Sequence, residues 1–371
     1  MKIILWVVLT PVVLLLLGLG LYLLKAIVQG AFEGWRSAGN GDDDGSYRLP
    51  DEATALGMLP PNRQDTDNAA PVPAELAAAK AATLTNDWKS VAALFEAVGT
   101  DWERRGAYSE KLADMAAVED EWLIAWETAR PDDPTAALLR ARSTVFLAWR
   151  LRGSQRAKHT TSEQFDGFHR TLARSREMNA RAADLAPGDP TPLISEIWTA
   201  IGMGYPHSDM DRIWSEIVAR APHHFEAHFS ALQYWCAKWR GSEQLARAFA
   251  AEAAAGAPLG SLLTVFPLIA HFEHHDDDST TEADSTPEMI ALVDACLADA
   301  AAAPADHPRL PEVRHLLAYY LSLQDRDAAS VEQFRLVDGH VDALPWRYRA
   351  DPAAAYCRLR DITLRQAAAT T

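Results

Sequence analysis

For 22 consecutive residues, from Ile3 to Leu24, the chain carries no charged side chain, and Thr10 can bond its hydroxyl to the preceding helical turn. As a helix this run would extend about 33 Å, against about 30 Å of hydrocarbon in a bilayer. Pro11 is tolerable at that depth because neighbouring groups can satisfy the freed carbonyl. Trp6, Tyr22 and Trp35 fall near the two interfaces, where amphipathic rings prefer to sit. A cleaved secretory signal is the rival reading, but its apolar region would be shorter, and no small-x-small site follows Leu24. The expectation is a transmembrane anchor over residues 1–29, contacting the bilayer through residues 3–28. Gly18 and Gly20 lack the four-residue spacing that pairs two such helices.

Flanking charge does not orient the anchor clearly, since Lys2 and the amino terminus oppose Lys25 and Arg36. The cysteines bear on this indirectly. Cys236, Cys296 and Cys357 are odd in number, far apart and set in apolar helical stretches, which reads as buried free thiols. Thiols without a disulfide framework favour a reducing compartment, so the expected arrangement is a single-pass plasma membrane protein with a cytoplasmic body. The net charge of −16 opposes a broad basic surface, and nucleic acid is not an expected partner.

Residues 30–73 are rich in Gly, Asp, Asn and Pro with no sustained apolar period, and are expected to form a flexible linker. The triplet Asp42-Asp43-Asp44 lacks the spaced ligands and glycine of a calcium loop and reads as solvated.

From residue 74 to residue 371 the apolar period is helical and no window alternates with period two, so the body is expected to be all-α. Residues 75–98 predict two short helices, with Asp87 capping the second. A longer helix is expected from Ser109 to Ala129, carrying Leu112, Met115, Trp122 and Trp126. The run Arg130-Pro131-Asp132-Asp133-Pro134 then ends one helix and starts the next, because proline fits the first turn but not the interior. That next helix is expected to end at Gly153, and another to run from Ser162 to Ala186. Of the 12 tryptophans most, including Trp122, Trp126, Trp149 and Trp214, fall on apolar stripes and read as packing.

Pro187, Pro222 and Pro258 lie 35 and 36 residues apart, with two expected helices in each interval. This is similar to the about 34-residue period of tetratricopeptide units, in which helix pairs stack around a shared core. The tight-turn glycine of that family is out of place, and 56 residues separate Pro131 from Pro187, so the repeats would be degenerate. The implied fold is a TPR-like α-helical solenoid of stacked antiparallel helix pairs. The stretch from Trp126 to Glu273 also resembles a family of uncharacterised bacterial helical proteins carrying a Lys-Trp-x-Gly-Ser turn. Here it is Lys238-Trp239-Arg240-Gly241-Ser242, after Tyr234-Trp235-Cys236. That resemblance implies a fold and no activity.

The zinc-protease H-E-x-x-H order, a P-loop, a dinucleotide-binding glycine turn and a G-x-S-x-G elbow are absent from the sequence. Acidic clusters such as Glu119/Asp120/Glu121 and Asp132/Asp133 fall at helix starts, where carboxylates are stabilising without any chemistry. His271, His274 and His275 would share one helix face, a spacing that can bring two imidazoles to a metal. They also adjoin a polar stretch where solvation is the bland reading. His223, His224 and His228 form a second group of the same kind. The leading expectation is a membrane-tethered scaffold, not an enzyme, that holds no metal or cofactor and binds a protein or peptide through the inner surface of a short solenoid. The candidate contact residues are Tyr234, Trp235, Lys238, Trp239 and Arg240, where two cations flank an aromatic at a turn. The alternative is a metal-dependent enzyme or binder centred on His271, His274 and His275.

Overall fold

Side-chain caps and helix-ending residues divide the chain much as the sequence predicts. The structure is a computed structural model that describes residues 47–153, 161–274 and 281–369. The expected anchor from Ile3 to Leu24 and the acidic triplet at Asp42 lie outside the described residues. Within them no helix is long and apolar enough to cross a membrane.

Among the described residues there are sixteen α-helices and no strand. The first is α1 (Asp51–Ala55), followed by α2 (Ala74–Thr83) and α3 (Trp88–Val98). The Asp87 carboxylate accepts from the amides of Lys89 and Ser90 and so caps α3, as expected. The single helix expected from Ser109 to Ala129 is instead two, α4 (Trp102–Ala116) and α5 (Glu121–Ala129). Neither proline nor glycine marks the break. The change of direction lets Trp122, Leu123 and Trp126 join the same core cluster as Leu112 and Ala113, a tertiary gain that local propensity does not register. Asp133 then caps α6 (Pro134–Arg152) through the amides of Thr135 and Ala136, and Gly153 ends it at φ 76°.

A capping box of Thr161 and Gln164 opens α7 (Ser162–Leu185). The two intervals between the spaced prolines hold α8 (Thr191–Met203) with α9 (His207–Arg220), and α10 (Phe225–Trp235) with α11 (Glu243–Ala255). There follow α12 (Phe266–His274), α13 (Pro287–Ala302), α14 (Leu310–Leu323), α15 (Asp327–Val337) and α16 (Pro352–Ala369). Helices α6, α8, α10 and α12 pack successively on one another, while α7 packs on α6 and α8, and α11 on α10 and α12. Helix α4 breaks that alternation, because it reaches α6, α8 and α10 together.

The linker expected over residues 30–73 needs correction from Pro50 onward. Ala53 and Met58 are buried, and α1 packs on α16. Asp65 pairs its backbone with Gly339 and Val341, and Gln64 exchanges bonds with Asp338 and the Gly339 amide. Arg360, 0% exposed, donates to the Leu59 carbonyl at 2.8 Å and to Asp338 at 2.7 Å. Polar composition conceals this segment because hydrogen bonds to residues far along the chain, with little apolar burial, hold much of it.

Candidate ligand cavity

Because α4 crosses α6, α8 and α10, a charged set of residues meets where those helices face the start of α14. Arg142 on α6 pairs with Glu226 on α10, and also donates to Ser109 on α4 at 3.1 Å. Arg309, just before α14, reaches Glu110 on α4 at 2.5 Å and Glu312 at 2.8 Å, and lies 3.5 Å from Glu226. Glu103 on α4 accepts from the Phe225 amide at 2.6 Å. Burial tends to raise the Glu110 carboxyl, but the Arg309 and Arg142 guanidiniums outweigh it and hold it down to about 2. The contact between α4 and α10 is close. A Cβ on Gly106 would stand 2.8 Å from Glu226 Oε2 and 3.1 Å from the His224 ring.

Beside this network is a cavity of about 370 Å³ whose apolar walls are Val145, Phe146, Trp149, Trp198, Phe225 and Phe229. Its charged lining is Glu110, Glu226 and Glu312 against Arg142, Arg309 and Arg347. A second cavity of about 280 Å³ shares Glu110, Arg309, Glu312 and Arg347, and continues past Tyr108, Val72 and a run of prolines. An aromatic wall with a few convergent polar groups is the usual composition of a binding site. Trp198 is fixed by donating to Ser230 at 3.0 Å, and Trp149 stands edge-on to it at 6.0 Å.

The residues predicted from the Lys-Trp-x-Gly-Ser turn do not come together as one contact surface. Tyr234 is 0% exposed and donates to the Tyr205 carbonyl, so it belongs to the core. Trp235 packs edge-on against His207. Lys238 is held by Glu273 at 2.7 Å and Tyr348 at 3.2 Å, so its charge is already matched. Arg240 lies beside Gly204, and its carbonyl meets His207. Trp239 alone approaches the cavity, packing edge-on to Trp149 at 5.4 Å on a ring that forms the wall. The motif is a helix connection: Ser242 caps α11, and Gly241 sits where a Cβ would be 1.9 Å from the Trp235 carbonyl.

The histidine groups also resolve into structural bonds. His271 pairs with Asp284 at 2.9 Å. His274 meets the Ala270 carbonyl with Nδ1 and the Ala237 amide with Nε2, which engages both ring nitrogens. His275 lies outside the described residues, among which no cluster suited to a metal forms. His224 caps α10, and the three cysteines are buried. Burial pushes the Cys236 and Cys357 thiols up to about 12, so neither is a reactive thiolate.

Two imidazoles make the fold acid-sensitive. Burial lowers His228 to about 4 and His315 to about 3, from an ordinary 6.5. Below pH 6.5 the unfolded chain binds protons that these folded sites refuse, so stability is full above 6.5 and falls with falling pH. The loss at pH 4 is on the order of 3 kcal/mol for each histidine. Glu110 adds to it as pH drops from 4.5 toward 2. Urea midpoints measured at pH 7, 5.5 and 4.5 should decline steadily; equal midpoints would contradict the neutral, buried state of both rings.

Sequence reasoning passed over Arg142, Glu226, Arg309 and Arg347. The available signal was charge on an apolar stripe: Arg142 follows Ala141 and precedes Val145 on the buried face of α6, and Glu226 sits between Phe225 and Ala227. Such a charge needs a partner. No family model, no curated protein and no solved structure matches the chain.

Proposed function

We propose that the chain is a membrane-tethered helical-repeat scaffold that holds a segment of a protein or peptide partner in the two adjoining cavities. One observation carries the reading: the cavities of about 370 and 280 Å³ share Glu110, Arg309, Glu312 and Arg347 in their linings, which sets an aromatic pocket directly beside a proline-lined one. The succession of α6, α8, α10 and α12 supports a degenerate tetratricopeptide-like arrangement, in which such inner helices line the binding face. The uncharged run at the amino terminus supplies the tether.

The test is capture of partners by the full chain in detergent, comparing wild type with Val145→Trp, which fills the aromatic cavity. A genuine cavity ligand should be recovered at least tenfold less by the variant, a difference of about 1.4 kcal/mol. Thermal unfolding of both proteins separates a blocked cavity from a lost fold. Equal capture by a folded variant, or turnover of a small molecule with no partner recovered, would refute the proposal.

A further inference from the structure

We infer that residues 50–71 form a latch, which leaves the body as one piece without unfolding it and takes with it one wall of the proline-lined cavity. Little apolar surface holds this segment in place, since Ala53 and Met58 are its only buried apolar side chains. Helix α8, by contrast, buries Ile194, Ile197, Ala200 and Ile201. A segment seated by so few apolar contacts opens at a fraction of the cost of global unfolding. The latch ends at Val72, which packs on the cluster of Leu76 and Phe95.

Bonds within the segment keep its shape when it leaves. The Asp65 carboxylate accepts from the Asp67 and Asn68 amides and from the Asn68 side chain, and the Gln64 side chain donates to the Leu59 carbonyl at 3.0 Å. The bonds that cross to the body are polar. The Leu59 amide donates to Asp338 at 2.7 Å, Gln64 donates to Asp338 and accepts from the Gly339 amide, and Asp65 pairs its backbone with Gly339 and Val341. Water replaces such bonds at small net cost. The body is left with its charges matched, because Arg360 keeps Asp338 at 2.7 Å and Asp361 at 2.9 Å when the Leu59 carbonyl departs. What the latch removes is functional space. Asn68, Ala69, Ala70 and Pro71 line the cavity of about 280 Å³, and the Asn68 carbonyl accepts at 3.1 Å from the amide of Asp342. Asp342 in turn holds Arg347, which lines both large cavities. The consequence for binding rests on the role proposed above, whereas the latch itself rests on these bonds.

Cys357 supplies the readout. It is 0% exposed with Sγ 3.8 Å from the Leu59 carbonyl, whereas Cys296 lies in the core cluster of Val293 and Leu317. The full chain in detergent is treated with excess iodoacetamide over a range of urea concentrations below the unfolding transition, and alkylation at each cysteine is followed by mass spectrometry. Cys357 should react at least tenfold faster than Cys296 and with a weaker dependence on urea. Gln64→Ala, which removes bonds from the latch alone, should speed Cys357 by roughly tenfold. Ile269→Val, a core substitution in the cluster of Cys296, should speed Cys296 by roughly fivefold and leave Cys357 unchanged. Hydrogen exchange of the Asp342 amide should show the same urea dependence as Cys357. One common rate and urea dependence for both cysteines overturns the inference, because the segment then opens only with the whole body. So does indifference of Cys357 to Gln64→Ala, or an Asp342 amide that stays protected while Cys357 reacts, since the opening then stops short of the cavity. None of these measurements uses a partner, so a failed latch leaves the binding role standing, and a failed capture leaves the latch.

Discussion

Replacing Glu226 by alanine is expected to destabilise the protein by about 3–5 kcal/mol, because it strands the Arg142 guanidinium in the interior. Arg142 and Glu226 have side chains only 5% and 9% exposed, and the remaining bonds of Arg142, to Ser109 and the Gly106 carbonyl, carry no negative charge. Removing one ion of a buried pair leaves the desolvation cost of the other offset here only by the non-bonded Glu110 carboxylate, whereas removing both spares it. The double variant Arg142→Met, Glu226→Leu should therefore recover most of the loss. Urea denaturation followed by far-ultraviolet circular dichroism measures both. A loss under about 1 kcal/mol for Glu226→Ala would mean that water reaches Arg142 and that the pair behaves as a surface bridge. The result also bears on the proposed ligand binding, since Glu226 is a wall of the larger cavity.

Gly241→Ala should cost more than about 4 kcal/mol or prevent folding, at the extreme of single-substitution effects. The added Cβ would lie 1.9 Å from the Trp235 carbonyl oxygen and 2.4 Å from its carbon, and both are backbone atoms that no rotamer change can move. The chain turns there from α10 to α11, with the Ser242 amide donating to the Trp235 carbonyl at 3.1 Å. Relief requires separating the two helices, and Trp239 would shift with them from its place against Trp149. Gly188→Ala is the matching control. No atom lies within 4 Å of its Cβ position, and the substitution should change stability by under about 1 kcal/mol, with either sign possible through the unfolded chain. Comparable losses at both positions would show that glycine's backbone freedom, and not the close approach, sets the effect at Gly241.

Most helices in the body are legible in the sequence. Asp87 caps where predicted, Asp133 stands at the helix start expected there, Gly153 ends α6 at a positive φ, and Pro187, Pro222 and Pro258 separate helix pairs. Each of these acts on backbone groups within a turn or two of itself, so the information is local and survives without tertiary context. The break between Ala116 and Glu121 has no such marker, so the apolar period alone predicts one helix across it. The Pro50–Pro73 segment failed for the opposite reason: its composition is that of a linker, yet Gln64 and Asp65 are held by residues more than 270 positions away.

The candidate site divides the same way. The sequence singled out Tyr234, Trp235, Lys238, Trp239 and Arg240 because aromatic and basic residues crowd a turn. Crowding along the chain does not distinguish a surface from a tightly packed helix connection, which is what Gly241 and Ser242 make of it. The cavity is assembled from α4, α6, α8, α10 and the start of α14, with Arg142 paired 84 residues ahead and Arg309 paired 199 residues back. By itself, then, the sequence determined an all-helical body, most of its helix boundaries and the apolar run from Ile3 to Leu24, because periodicity, capping and hydropathy are properties of neighbouring residues. Only the tertiary structure decided which charges face one another and where space remains between them, because those depend on how distant helices cross.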